Sequence, residues 1–194
     1  MHKQIIIEDY SPQWPKGFEL LKTVYTNKLG DLILDVEHVG STSVPGLAAK
    51  PIIDIDLVID DHKKLNPVIS VLNTLGYEHV GDMGITDREA FKRESALTPE
   101  DGFLGDWPAH NLYVCIEGSI ALRNHLTLRD FLRSHPDKMR EYGELKKRLA
   151  AENPYDIDLY IKNKTPFIIG ILKDMGFDNN TLAAIRKSNK ADEI

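Results

Sequence analysis

Two aspartates, Asp54 and Asp56, interrupt the longest β-branched stretch of the sequence, residues 51–59. In a β-strand the side chains of residues i and i+2 point to the same face, so both carboxylates should project together. A central strand leaves such a pair short of water, and Mg²⁺ relieves the repulsion by binding carboxylates, waters and phosphate oxygens. We predict Asp54 and Asp56 as catalytic, metal-binding residues for Mg²⁺ or Mn²⁺. The alternative is a solvated strand face with no ligand.

A turn rich in glycine and hydroxyl residues, Gly40-Ser41-Thr42-Ser43, lies shortly before these aspartates. Glycine lets the backbone approach a ligand closely, and hydroxyls with adjacent N–H groups bind phosphate. Such turns are common in purely structural loops, so the interest of this one comes from its position before Asp54. We predict that Gly40, Ser41 and Ser43 bind phosphate.

The elements that would position these residues follow from hydrophobic periodicity and turn residues. Strands are predicted at residues 5–8, 34–39, 51–59, 91–94 and 111–117. Helices are predicted at about residues 15–29, 60–75, 136–151 and 159–175, with helical character from residue 127 and a last helix from about 180 towards Lys190 and Asp192. This order predicts an α+β fold in which a mixed sheet packs on helices. The length fits one domain over residues 1–194, with the sheet core in about 1–120 and a helical part in about 121–194.

Charge and composition narrow the class of ligand. The net charge of −6 argues against a protein that coats extended nucleic acid, but residues 123–148 hold eight Lys or Arg against four Asp or Glu. This local excess suits a polyanionic small molecule, and a solvated helix face explains it nearly as well.

Cys115 is the single cysteine, and no apolar run reaches membrane-spanning length. Together with the absence of a signal-peptide pattern, these features predict a cytoplasmic protein.

Two motifs are similar to known families. Val39-Gly40-Ser41 followed by Asp54-Ile55-Asp56-Leu57 resembles the hG[GS] and Dh[DE]h signature of the nucleotidyltransferase superfamily. The longer stretches EHVGSTSVPGL at 37–47 and KPIIDI at 50–55 look like the hallmark of the GrpB (UPF0157-like) family. Further similar stretches are RDFLRSHP at 129–136, Tyr142 with Leu145-Lys146, Tyr160, Lys164 and Phe167-Ile168. The resemblance covers about residues 5–172.

The resemblance implies a nucleotidyltransferase fold and a site for a nucleoside triphosphate or another phosphorylated small molecule. Gly40 and Ser41 would hold its phosphates, and the two aspartates would hold metal. Basic positions of the GrpB motifs that would neutralise a triphosphate are Lys50, Arg129, Arg133, Lys146 and Lys164. The implied activity is metal-dependent nucleotidyl transfer to an unknown acceptor. The alternative is a non-catalytic binding module, linked to coenzyme A metabolism because some GrpB-like domains are joined to dephospho-CoA kinase.

The sequence departs from these patterns at two places. Active nucleotidyltransferases use a third carboxylate on a later strand, for which Glu117 and Glu94 are the candidates here. GrpB relatives often carry His-Leu-His where this chain has Asn111-Leu112-Tyr113. Asn111 or Tyr113 beside the aspartates would favour binding over catalysis, whereas a glutamate there would favour catalysis. His38 and His110 lie nearby in sequence and are further candidates for the site, or else structural histidines. The sequence leaves open the acceptor substrate, the preferred base of the nucleotide and the oligomeric state.

A competing motif is weaker. Residues 54–58 also match the DxDx[TV] of haloacid-dehalogenase-like phosphatases, and Asp82 with Asp87 imitates their distal acidic pair. Only 25 residues separate Asp56 from Asp82, which is too few for the two motifs that this family places between them. We therefore favour the nucleotidyltransferase interpretation.

Overall fold

Five strands form one mixed sheet in the computed structural model, which describes residues 4–189. The strands are β1 (Asp35–Val39), β2 (Ile53–Ile59), β3 (Tyr77–Gly81), β4 (Arg88–Arg93) and β5 (His110–Ile116). The helices are α1 (Gln13–Leu29), α2 (Leu65–Thr74), α3 (Ile120–Ser134), α4 (Pro136–Glu152), α5 (Ile157–Asp174) and α6 (Asn179–Ser188). The sheet order is β1-β2-β5-β4-β3; β2 and β5 are parallel, and the other neighbours are antiparallel. The predicted α+β class with a mixed sheet packed on helices is confirmed.

Alternation along β2 separates the main core from the polar face. Ile53, Ile55 and Leu57 belong to the core that α1 and α2 cover with residues such as Leu21 and Leu72. The two aspartates and Val58 therefore lie on the opposite face. There α3 covers one end of the sheet through Leu122, which packs with Val58, Tyr113 and Cys115.

The helices after the sheet build a second core. Residues of the four helices α3 to α6 and of the turn after β1 form it, among them Val44, Leu132, Tyr142, Leu172 and Ile185. This core holds α3 and α4, which carry Arg129 and Lys146, beside the polar face of the sheet. Among the helices within residues 4–189, none combines the length and apolar character that a membrane span requires.

Three sequence predictions of local structure need correction. Residues 5–8 do not form a strand, because only Glu8 pairs, in a single bridge to Ala49. The helix predicted at 60–75 begins at Leu65, after a short 3₁₀ turn in which the Asp61 side chain accepts a hydrogen bond from the Lys63 N–H. Helix α3 begins at Ile120, seven residues before the predicted start at 127, because the Ser119 hydroxyl caps its N-terminus.

The remaining predicted elements agree with the structure within a few residues, except that β3 was not identified as a separate strand. Its sequence, YEHVG, has two consecutive polar residues and ends in glycine, so it has neither an apolar run nor a regular alternation. Helix α6 is described to Ser188. The predicted continuation towards Lys190 and Asp192 lies outside the described residues.

Candidate functional site

The parallel pairing of β2 with β5 builds the floor of the site. In this register Asp54 lies opposite Asn111, and Asp56 lies opposite Tyr113. The Asn111 Nδ2 donates a hydrogen bond of 2.8 Å to Asp54 Oδ1. The position beside the two aspartates, where a third carboxylate was sought, is therefore held by an amide and a phenol.

Asp56 is fully buried, and only one of its two carboxylate oxygens has a hydrogen-bond partner among the described residues. His125 of α3 donates from Nδ1 to Asp56 Oδ2 at 2.7 Å. Burial lowers the pKa of His125, but the attraction and hydrogen bond of Asp56 outweigh it and raise that pKa overall. Asp56 Oδ1 is buried without a hydrogen-bond partner among the described residues. An unsatisfied buried carboxylate oxygen is costly, and it suits a group that binds a cation.

Asp54 contacts the turn that follows β1. Burial raises the pKa of Asp54, although the hydrogen bond from Asn111 acts in the opposite direction. A Cβ atom on Gly40 would lie 2.0 Å from Asp54 Oδ2, so the carboxylate occupies the space that a side chain would take. Gly40 has φ of 66° and ψ of −170°, a backbone conformation that is almost restricted to glycine. Gly40 is therefore required both by its backbone and by its neighbour.

Basic side chains form the opposite wall. Lys146 of α4 is buried, and its Nζ donates to Ser41 Oγ at 2.8 Å. Burial and the nearby charge of Lys164 hold the pKa of Lys146 well below its usual value. A cavity of about 150 Å³ lies between these lysines and Asp54. Two neighbouring cavities are also lined by Asp54 and Lys164, and together the three form what we call the central cleft, lined by Gly40, Ser41, Lys50, Asp54, Asn111, His125, Arg129, Lys146 and Lys164.

Two of the sequence-predicted residues, Ser43 and Arg133, do not line the central cleft. They line a separate cavity with Phe18 and His38. The Ser43 hydroxyl donates to the Gly40 carbonyl at 2.6 Å, and Arg133 donates to the Ser43 carbonyl from Nε at 3.1 Å and from Nη2 at 2.8 Å. These side chains hold the turn in place from behind, and their role in phosphate binding stays a prediction.

Arg129 lies at the edge of the cleft. It donates to Glu37 and to the His38 carbonyl, and it pairs with Asp130. Because three acceptors already engage the guanidinium, a triphosphate would have to compete for it. We therefore expect Arg129 to contribute less to ligand binding than the three lysines of the cleft.

The other candidate residues are structural. His38 bonds Thr42, and burial lowers its pKa to about 4. His110 accepts from the Tyr77 hydroxyl in the main core at 2.5 Å, and burial lowers its pKa to about 3. Both histidines are thus neutral at pH 7. The predicted third carboxylates, Glu94 and Glu117, do not line the central cleft.

The residues of the cleft fit a cation that takes few protein ligands. Within residues 4–189 no group of three or more His, Cys, Asp or Glu is placed to hold a metal. The candidate ligands are therefore the two neighbouring carboxylates of Asp54 and Asp56. The Oδ1 atom of Asp56 has no hydrogen-bond partner among the described residues. Mg²⁺ is commonly bound by one or two carboxylates, with water and phosphate oxygens completing its octahedron. Asp54 and Asp56 would hold it.

Sequence reasoning missed His125. The signal that could have identified it is its spacing, because His125 and Arg129 lie four residues apart on one face of α3. The predicted helical region began only at residue 127, which placed His125 outside the helix.

Comparison with known proteins places these features in context. A protein-family model described as "GrpB protein" matches residues 4–174. The UPF0157 protein YqkA of Bacillus subtilis is 33% identical over 159 residues, which span 82% of this chain but only 43% of that protein. A dephospho-CoA kinase of Mycolicibacterium paratuberculosis is 27% identical over 171 residues, covering 80% of this chain and 42% of the kinase.

Two solved structures share the fold. A conserved protein GrpB from Enterococcus faecalis superposes with a TM-score of 0.72 at 31% identity, covering 88% of this chain and 99% of that protein. The Cid1 poly(U) polymerase, in a structure described as MgGTP-bound, gives a TM-score of 0.50 at 16% identity, covering 75% of this chain and 44% of the polymerase. The second likeness shows a shared fold.

Proposed function

The chain belongs to the GrpB protein family, and from this premise we propose that its central cleft binds a nucleoside triphosphate together with Mg²⁺ or Mn²⁺. One observation carries the proposal. The same cleft is lined by the carboxylate of Asp54, next to the buried Asp56 on the same face of β2, and by Lys50, Lys146 and Lys164. Opposed acidic and basic walls match a ligand that consists of a cation and a polyphosphate.

Each wall has a separate task. Lys50, Lys146 and Lys164 would neutralise phosphate oxygens, and the Ser41 hydroxyl, already held by Lys146, would donate to one of them. Gly40 lets the Asp54 carboxylate lie close to the backbone of the turn that carries Ser41. A cation held by the aspartates would supply charge neutralisation on the phosphate side that faces β2.

Asn111 favours binding over transfer. A third carboxylate could accept a proton from an acceptor hydroxyl, whereas the Asn111 amide cannot act as a base at neutral pH. Its Nδ2 is used instead to hold Asp54.

Nucleotidyl transfer is the second candidate function. The paired aspartates on one face of β2 favour it, because such a pair can serve in-line displacement at phosphorus.

Calorimetric titration of the wild-type protein tests the proposal. The ligands are ATP, GTP, CTP, UTP, inorganic tripolyphosphate and dephospho-coenzyme A, each with Mg²⁺ and again with excess chelator. We expect triphosphates to bind only with the metal. If no triphosphate binds under either condition, the proposal is wrong. Release of pyrophosphate in the presence of candidate hydroxyl acceptors would instead support nucleotidyl transfer, the second candidate function.

The variant Lys146→Met is expected to weaken metal-dependent triphosphate binding by about tenfold or more, since it removes one charge-assisted hydrogen bond. The buried Nζ bonds Ser41 and lies 4.7 Å from the centre of the Tyr142 ring, so methionine should fill its space. Lys147→Met, on the same helix but outside the central cleft, is the matched control and should leave the affinity within about twofold. Equal losses in both variants would contradict the assignment of Lys146.

The same lysine should couple binding to protonation. Burial and Lys164 depress the pKa of Lys146 in the free protein. Phosphate charge would raise that pKa in the complex, so the complex holds more protons and binding takes up protons near the depressed pKa. Calorimetry in two buffers of different ionisation enthalpy measures this uptake. It should be smaller in Lys146→Met than in wild type.

A further inference from the structure

A cavity of about 190 Å³ adjoins the central cleft without being part of it. It lies between the turn before β4, the first turns of α3 and the end of α6. Four residues line both this cavity and the central cleft: Arg88, Asn124, His125 and Asn189. A ligand could therefore extend continuously from one space into the other.

The lining of this cavity differs from that of the cleft. Its walls include the aliphatic side chains of Ile85, Ile120 and Ala184. None of the three lysines of the cleft lines it, and Asp87 does. Arg88 and several uncharged polar residues also line it, so charges of both signs are present. The aliphatic part of the lining suits an uncharged ring better than a phosphate.

Asn124 supplies the polar specificity. Its Oδ1 is buried and has no hydrogen-bond partner among the described residues. A buried amide oxygen without a donor destabilises the protein unless a bound molecule supplies the donor. An exocyclic amino group of a nucleobase is such a donor, and Asn is a common partner for it.

We propose that this cavity is the nucleoside subsite, in which Asn124 Oδ1 accepts a hydrogen bond from the exocyclic amino group of the base. The inference rests on the proposed function, because the phosphates of the same ligand occupy the central cleft. Bases with an exocyclic amino group, namely adenine, guanine and cytosine, are then preferred to uracil.

Part of this subsite comes from a segment outside the family match. The GrpB family match ends at residue 174, whereas α6 begins at Asn179 and contributes Ala184 and Ile185 to the cavity, together with Asn189 directly after the helix. Base selectivity would thus depend on a helix that the family pattern does not specify.

Two pairs of ligands test the proposal by titration with Mg²⁺: CTP against UTP, and ATP against purine riboside triphosphate, which lacks the amino group. We expect the amino-bearing member of at least one pair to bind about five- to tenfold more tightly, as one satisfied hydrogen bond predicts. Asn124→Ala should remove this difference, so that both members of the pair bind equally.

A second variant covers the case in which Asn124→Ala does not fold. Ala184→Leu narrows the cavity from an exposed helix position and should weaken nucleotides but not tripolyphosphate. Ala183→Leu, exposed on the same helix but outside the cavity, is its control. If tripolyphosphate binds as tightly as every nucleotide, or if neither pair discriminates, the subsite is refuted while the proposed function stands. If tripolyphosphate and nucleotides all fail to bind, the proposed function itself fails.

Discussion

The variant Asp54→Asn is expected to lose metal-dependent nucleotide binding and, at the same time, to fold more stably than wild type. Loss of the carboxylate removes a ligand of the proposed cation, and we expect at least about a hundredfold weaker binding, or about 2.7 kcal/mol. The Asn111 amide can still donate to the new side-chain oxygen, so the local geometry should persist. Calorimetry with Mg²⁺ and ATP measures the first effect, and urea denaturation measures the second.

The gain in stability follows from the direction of the pKa shift. Burial raises the pKa of Asp54, so the folded protein binds its proton more tightly than the unfolded chain does. Folding stability then falls as pH rises through the window between the unfolded pKa, about 3.9, and the raised folded pKa. Above that window the ionised carboxylate destabilises the fold. The advantage of Asp54→Asn should therefore be on the order of 1 kcal/mol at pH 7 and should vanish below about pH 4.

Two further variants sharpen this result. Asp56→Asn should also abolish binding, but it should destabilise the protein because it removes the buried partner of His125. Glu117→Gln changes an exposed carboxylate outside the cleft and should change neither property appreciably. An Asp54→Asn variant that binds Mg²⁺–ATP as tightly as wild type would exclude Asp54 as a metal ligand.

The placement of Asp54 in the fold could be predicted from sequence because local rules determine it. The period of two along 51–59 places Asp54 and Asp56 on one face, and the apolar residues between them identify a strand buried on the other face. Gly40 and Ser41 precede this strand at the end of β1, which pairs antiparallel with β2 and so brings their turn beside Asp54.

Other parts of the site depend on contacts that spacing does not reveal. His125 reaches Asp56 across 69 residues of sequence, and the identity of that partner depends on how α3 packs on the sheet. Arg133 lies eight residues after His125 on the same helix. At about 100° per residue it is rotated by about 80° from His125, which turns it towards Ser43 and away from the cleft. Residue type alone predicts the same role for Arg133 and Lys146, but the packing of α3 and α4 places only Lys146 in the cleft.

Replacement of Gly40 by alanine should have the largest effect of the glycine-to-alanine changes, because its added Cβ has the shortest contact. The backbone of Gly40, at φ 66° and ψ −170°, lies in a region that costs other residues about 1–3 kcal/mol. The added Cβ would also lie 2.0 Å from Asp54 Oδ2, so the carboxylate must move. We expect a loss of about 3 kcal/mol or more in unfolding free energy and loss of Mg²⁺-dependent nucleotide binding.

Gly118→Ala separates the two causes. Gly118 also has a positive φ, 73°, but a Cβ there meets no atom within 4 Å, so this variant carries backbone strain without displacing Asp54. It should lose stability by about 1–2 kcal/mol and keep wild-type nucleotide affinity. Adding Asp54→Ala to Gly40→Ala relieves the collision, so the double variant should be more stable than Gly40→Ala alone, and a double-mutant cycle measures that coupling. If instead the two effects on stability simply add, Asp54 does not occupy the space beside Gly40 and the geometry of the proposed metal site is wrong.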